Sequence, residues 1–280
     1  MIGIQSHRLI PMQHRLLKHA ASSDGLLRGN IRYQFSAAHA LKIYRSNSIY
    51  TFIPKNACTT MRLSLAIANC CIADESRVNW IHNNNTTFKA SLEDLVRANY
   101  TFVILRDPFA RIASCYLDKI VGKAPAAWQL FDHCGRAWDI DRLSFADFVS
   151  ALKGRAMLTV NEHWRPQSDF LVYQDYDDYF SVEELAAAIP AIRQKADMEV
   201  KDARPLTLHG IDRYELRPAD QDHAETPAGE IAEMQRRGQC PHPRSLYRRP
   251  IIDAVAQLYA DDLRLYAEKV GRPTWFEAST

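Results

Sequence analysis

Twice in this chain a short run rich in β-branched and aromatic residues feeds, within a few residues, into a helical pattern. Ser48–Ile53 (SIYTFI) reads as a buried strand closed by Pro54. Cys58–Cys71 (CTTMRLSLAIANCC) follows with apolar residues at helical spacing and Thr59 and Thr60 near its start. Tyr100–Leu105 (YTFVIL) reads as a second buried strand, and Pro108 marks the first turn of a helix running to about Val121. Strand, loop, helix, repeated, is the grammar of a parallel sheet. The expected class is therefore α/β: a P-loop-like parallel β-sheet flanked by helices.

The rest of the pattern is compatible with one large domain, expected over 46–280. A short helix is expected at Leu92–Ala98. Another is expected at Ser144–Leu152, with Ser144 as N-cap and Asp147 at N3. Asn161–Gln167 (NEHWRPQ) reads as a polar loop. Ser181–Ile189 reads as a helix opened by Ser181 and Glu184, residues 217–250 as a long loop, and Ile251–Val270 as one amphipathic helix. No repeat or low-complexity tract interrupts this.

Charge matters mainly for what it excludes. Lys and Arg total 35 against 33 Asp and Glu, a net charge of +2, so a dedicated nucleic-acid binder is not indicated. Residues 1–45 are nonetheless one-sided, with seven basic residues (Arg8, Arg15, Lys18, Arg28, Arg32, Lys42, Arg45) and one acid, Asp24. This basic N-terminal arm is expected to be solvated, and could touch an anionic membrane surface. No run of about eighteen apolar residues exists to span a bilayer. Apolar stretches near the start are broken by His7, Arg8, His14 and Arg15, unlike a secretory signal. Cys58, Cys70, Cys71, Cys115, Cys134 and Cys240 form neither a CxxC pair nor a disulfide-like framework. The expectation is a cytoplasmic protein with reduced thiols, peripheral at the inner membrane if the arm engages it, and without a zinc site.

Chemistry concentrates at the two strand ends. In TFIPKNACTTMR (51–62) a strand delivers the chain into a turn from which a helix starts, and the N–H groups of such a start attract anions. Lys55 adds a full charge, and Thr59 and Thr60 add hydroxyl donors. The loop lacks the glycines and the Gly-Lys-Ser/Thr ending of a Walker A motif, so a phosphate-like group would be gripped here without a metal. In FVILRDPFARIASCYLDKI (102–120), Arg106 sits at a strand end where bidentate contact with a phosphate is natural. Ser114 lies about two turns into the next helix, and Arg111 and Lys119 enlarge the positive field. Ordinary readings exist for both segments: a capped strand-to-helix turn, and a local Arg106–Asp107 pair. Two anion sites at the carboxyl edge of one sheet instead suit a ligand with phosphates at both ends.

With these residues in place, the sequence resembles the carbohydrate sulfotransferase family that includes the HNK-1 and chondroitin sulfotransferases (sulfotransferase family 2). Lys55-Asn56-Ala57-Cys58-Thr59-Thr60 is similar to its 5'-phosphosulfate loop, and Arg106-Asp107-Pro108-Phe109 through Ser114 to its 3'-phosphate motif. Ile81-His82-Asn83, His163-Trp164-Arg165-Pro166-Gln167, and Tyr259 with Asp262 match in the same order, so the resemblance spans roughly residues 48 to 268. The animal members' membrane anchor and luminal cysteines have no counterpart, and Ser168, Asp169 and Phe170 stand where a cysteine is usual. The chain is thus similar to a soluble, bacterial-type member.

The resemblance implies the sulfotransferase fold and transfer of a sulfuryl group from 3'-phosphoadenosine 5'-phosphosulfate (PAPS), the co-substrate, to a hydroxyl of a carbohydrate or glycolipid, with no metal. It implies Lys55 beside the bridging oxygen of the donor, where charge develops as the bond breaks. The N–H groups from Asn56 to Thr60, with the Thr hydroxyls, would hold the 5'-phosphate, and Arg106 and Ser114 the 3'-phosphate. A base must take the hydroxyl proton: His82 is the first candidate, His163 the second, and Glu162 a third, with Arg165 placed to attract an acidic sugar. His7, His14 and His209 have no such context. Two other readings remain: a metal-dependent nucleotide kinase with a degenerate phosphate loop, and a non-catalytic module binding anionic glycans. Oligomeric state and acceptor identity have no readable signal.

Overall fold

The computed structural model describes residues 15–20, 25–84, 86–136, 139–207 and 210–276, with only the backbone of Arg155. His7, Arg8, His14, Asp24 and His209 lie outside the described residues. Asn30 caps the first helix, α1 (Ile31–Ala38), its side chain accepting from Tyr33 N at 3.0 Å. After His39 the chain forms an antiparallel hairpin of β1 (Ala40–Ile43) and β2 (Ser48–Thr51), turning through left-handed Asn47 (φ 52°). Next come α2 (Cys58–Ala68), α3 (Trp80–Asn83), α4 (Leu92–Val96) and β3 (Tyr100–Leu105). Then α5 (Pro108–Cys115), α6 (Pro125–His133), α7 (Phe145–Ala151) and α8 (Arg155–Val160) lead to β4 (Asp178–Ser181). The chain ends through α9 (Leu185–Ala196), the short β5 (Glu215–Leu216), α10 (Ala228–Arg236), β6 (Gln239–Cys240), α11 (Arg249–Leu258) and α12 (Ala260–Val270).

Among the described residues the central sheet runs β1-β2-β3-β4. β2 and β3 pair in parallel, Ser48 opposite Tyr100 and Thr51 opposite Val103, and β3 and β4 pair in parallel, Phe102 opposite Asp178. Every residue of β2 and β3 is buried, which is why both read as continuous runs rather than alternating ones. Alternation still sorts their side chains. Tyr50, Phe102 and Ile104 pack with Met61, Leu63 and Ile192 on one face, and Ile49, Val103 and Leu105 with Tyr33, Phe170 and Tyr266 on the other. A third cluster, with Phe109, Tyr116, Phe145, Phe148 and Trp164 among its members, fills a helical layer beside the sheet. A parallel sheet flanked by helices is what the sequence led us to expect; the antiparallel β1 at its edge was not anticipated.

Several boundaries differ for identifiable reasons. Residues 30–45 are not a loose arm: α1 and β1 occupy them. Arg15 pairs with Asp177 at 2.7 Å, Lys18 Nζ donates to Ser168 O at 2.7 Å, and Lys42 pairs with Asp94 at 2.5 Å. Ser181 ends β4 instead of capping a helix at once. Its hydroxyl accepts from Glu183 N in a 3₁₀ turn, and α9 begins at Leu185 and continues past Pro190 to Ala196. β4 is short and only half-buried for most of its length, so it leaves a weak trace in sequence. The supposed long loop 217–250 holds α10 and β6; α10 buries only Ala228 and Ile231, with Ala232 and Met234 partly exposed, so its period is faint. The final helix is two, broken where Tyr259 leaves helical geometry (φ −116°, ψ 29°) and donates from its hydroxyl to Trp164 O at 2.6 Å. Among the described residues no helix is long and apolar enough to cross a membrane.

Candidate active site

The loop after β2 is held in an unusual backbone state. Lys55 (φ 72°) and Ala57 (φ 54°) are both left-handed, a conformation costing about 1–2 kcal/mol at a non-glycine residue. Such turns swing successive N–H groups to one side, making an anion-binding concavity. Ala57 is the N-cap of α2, whose first helical bond runs from Met61 N to Ala57 O at 3.1 Å, leaving the N–H groups of Cys58, Thr59 and Thr60 outside the helix ladder. Asn56 differs from expectation: its N–H is already given to Ile53 O at 3.1 Å. Its buried side chain donates to Ile104 O at 2.9 Å and Gln167 Oε1 at 2.5 Å, fastening the loop to β3. Thr60 Oγ1 accepts from Ala203 N at 3.2 Å, and Thr59 is half-buried at the helix start.

The loop after β3 lies directly alongside. Asp107 caps α5, accepting from Ala110 N at 3.0 Å, and Pro108 takes the first helical position. Arg106 Nη1 donates to Lys55 O at 2.9 Å, so the two motifs touch. Burial lowers the Arg106 pKa, with Glu183 acting in the opposite sense, and Arg106 Nε is buried with no protein partner. An orphaned guanidinium N–H beside a left-handed loop and a helix start fits an anionic ligand. Ser114 is half-buried towards the end of α5.

A third loop locks the first two together. Gln167 Oε1 accepts from Arg106 N at 3.0 Å and Gln167 Nε2 donates to Arg106 O at 2.9 Å. Buried Asp262 fixes that loop by accepting from Gln167 N at 2.7 Å and Ser168 N at 2.9 Å. Arg111, 1% exposed, spans the same gap from α5, donating to Pro54 O at 3.2 Å and Glu162 O at 3.3 Å.

The candidate bases are placed unequally. His82 is exposed on α3, one residue beyond Ile81, whose carbonyl accepts from Arg62. His163 sits in the field of Lys55 and Lys119: burial, then Lys119, pushes its pKa down to about 4. Its Nδ1 contacts Asn161 Oδ1 at 2.7 Å, an oxygen that also accepts from His163 N at 2.9 Å. Nδ1 is therefore the donor, and Nε2 of the neutral ring is left as an acceptor. Glu162 Oε2 lies 3.3 Å from His39 Nε2, and that hydrogen bond holds its carboxyl below the usual value. Arg165 packs over Phe35, 3.6 Å from the ring centroid, and pairs with Asp169 at 2.9 Å.

Sequence reasoning missed three participants. His39 reaches the site from the segment read as an arm, and nothing local marks it. Arg62 lies one turn into α2 over Phe52, 5.2 Å from its ring, where helical spacing from Cys58 could have flagged it. Asp118 binds Lys55 Nζ at 2.7 Å, and its place beside Lys119 in the second motif was the available signal.

No curated protein and no solved structure matches the chain significantly. The family model described as the sulfotransferase family matches residues 43–267, a stretch that begins in the edge strand and takes in Lys55, Arg106, Gln167 and Asp262. The chain belongs to the sulfotransferase family.

Proposed function

We propose that the protein transfers a sulfuryl group from PAPS to a hydroxyl of a carbohydrate or glycolipid. The observation that carries this reading is the contact between the motifs: Lys55 and Arg106 stand at the carboxyl ends of adjacent parallel strands, joined at 2.9 Å. The N–H groups from Ala57 to Thr60 hold the 5'-phosphate, Arg106 and Ser114 the 3'-phosphate, and Lys55 faces the bridging oxygen. The acceptor oxygen attacks sulfur in line, the bond from sulfur to the 5'-phosphate breaks, and adenosine 3',5'-bisphosphate leaves. The acceptor proton passes to a base. His163 suits this task because its neutral ring presents Nε2 as an acceptor, and a bound anionic donor would raise its proton affinity. Glu162 and His82 are the competing assignments, separable by substitution.

Calorimetric titration with adenosine 3',5'-bisphosphate in metal-free buffer should give heat of binding, and labelled PAPS with a panel of glycans and glycolipids should label one class. Binding of ATP only with Mg²⁺ would favour a kinase instead. Glycan binding without nucleotide binding would overturn the enzymatic reading.

A further inference from the structure

α5 does not end at Cys115 but widens into a π-helical turn, Tyr116–Ile120, closed by Val121 N to Tyr116 O at 3.0 Å. Such turns are rare and concentrate at functional sites. Gly122 permits this one, since a Cβ there would lie 2.4 Å from Asp118 O. Successive residues on a helix normally face different directions. Here Asp118 and Lys119 converge with Lys55 on one point: Asp118 Oδ2 lies 2.7 Å from Lys55 Nζ and 3.1 Å from Lys119 Nζ. The Lys55 side chain is 11% exposed and the other two 14%. Two ammonium groups thus share one carboxylate oxygen in a largely water-excluded place. Lys119 also lies near enough to His163 to act on its protonation more strongly than Lys55 does. Through Asp118 it is held beside Lys55 of the phosphate loop.

We propose that Lys119 is a second lysine for the donor, contacting the sulfuryl oxygens, and that Asp118 is the counter-ion which the anionic end of the donor displaces from both lysines. This rests on the donor reading above. A transferring sulfuryl group must lie beside Lys55, and Lys119 is the cation that Asp118 holds next to Lys55. Asp118 keeps the two lysines together until an anion replaces it, and it competes with that anion for both.

Calorimetric titration of the full chain with PAPS and, separately, with adenosine 3',5'-bisphosphate tests this without an acceptor. Lys119→Gln should weaken PAPS about tenfold, as expected for one charge-assisted hydrogen bond, and the bisphosphate by less than about threefold. Lys119→Arg should restore PAPS affinity. Asp118→Asn should tighten both nucleotides about tenfold, which a damaged fold would not do. Equal effects of Lys119→Gln on the two nucleotides, no effect on either, or weaker binding by Asp118→Asn would each overturn the inference while leaving the donor reading intact. Wild-type protein that binds neither nucleotide would remove the donor reading, and this inference with it.

Discussion

Gln167 and Arg106 exchange two hydrogen bonds, the side-chain amide of one matching the backbone N–H and carbonyl of the other at 3.0 and 2.9 Å. The same Gln167 oxygen accepts from Asn56. One buried amide therefore sets the spacing between the Lys55 loop and the Arg106 loop. Gln167→Leu leaves several buried polar groups without partners and should lower stability by about 3 kcal/mol. Urea unfolding measures this, and nucleotide affinity should fall with it.

Lys55 and Arg106 should fail differently. With Lys55 facing the leaving oxygen as proposed, Lys55→Ala should lower turnover about 100-fold or more. Arg106→Ala should chiefly weaken donor binding, by about 10- to 100-fold, with a smaller change in turnover at saturation. Separate kcat and KM values for PAPS decide the matter. Equal effects on both parameters in both variants would contradict these roles.

Substitution of the histidines separates the base assignments. His163→Ala should reduce turnover by about 100-fold or more while PAPS binding persists. His82→Ala, on an exposed position of α3, should reduce it less. A dead His82→Ala beside an active His163→Ala would transfer the role to His82.

The neutral His163 also ties stability to pH. Its folded pKa of about 4 lies below the ordinary 6.5, so between these values the unfolded chain binds a proton that the native state refuses. Stability is fully present above about pH 6.5 and is lost as pH falls towards 4, at a slope of at most about 1.4 kcal/mol per unit. Replacement by Gln should flatten the profile between pH 6.5 and 5. Below that, Glu162, held below its ordinary value by His39, adds a loss of its own as it protonates.

Ala57 is left-handed at φ 54° without being glycine. Ala57→Gly should relieve that strain and raise stability by about 1 kcal/mol, visible as a higher melting temperature. A lower melting temperature would show that the methyl group packs usefully.

How much of this was legible depends on whether the signal was local. β3 matched its expected bounds because Tyr100–Leu105 is buried on both faces and bounded by turn chemistry. The N-cap of α7 was legible in Ser144 and Asp147, which form a reciprocal capping box. β4 was not, because a four-residue strand half-exposed at an edge carries little pattern. In the candidate site, Lys55 and Arg106 announced themselves through strand-loop-helix grammar. The fastening of their loops did not. Gln167, Arg111 and Asp262 act across more than fifty residues of sequence, and a buried Arg looks in sequence like a surface one. Asn56 was assigned to a ligand through its N–H, although that N–H and its side-chain NH2 are given to the protein itself.

The antiparallel edge strand has a consequence for where this fold effectively begins. Because β1 follows α1 directly, the junction between them carries His39 to Glu162, and His39 N and O tie into Ser36 and Phe52. Trimming the chain back to residue 46 would not shed a tether. It would strip His39 from beside Glu162 in the candidate site and expose the β2 backbone to solvent and to other molecules.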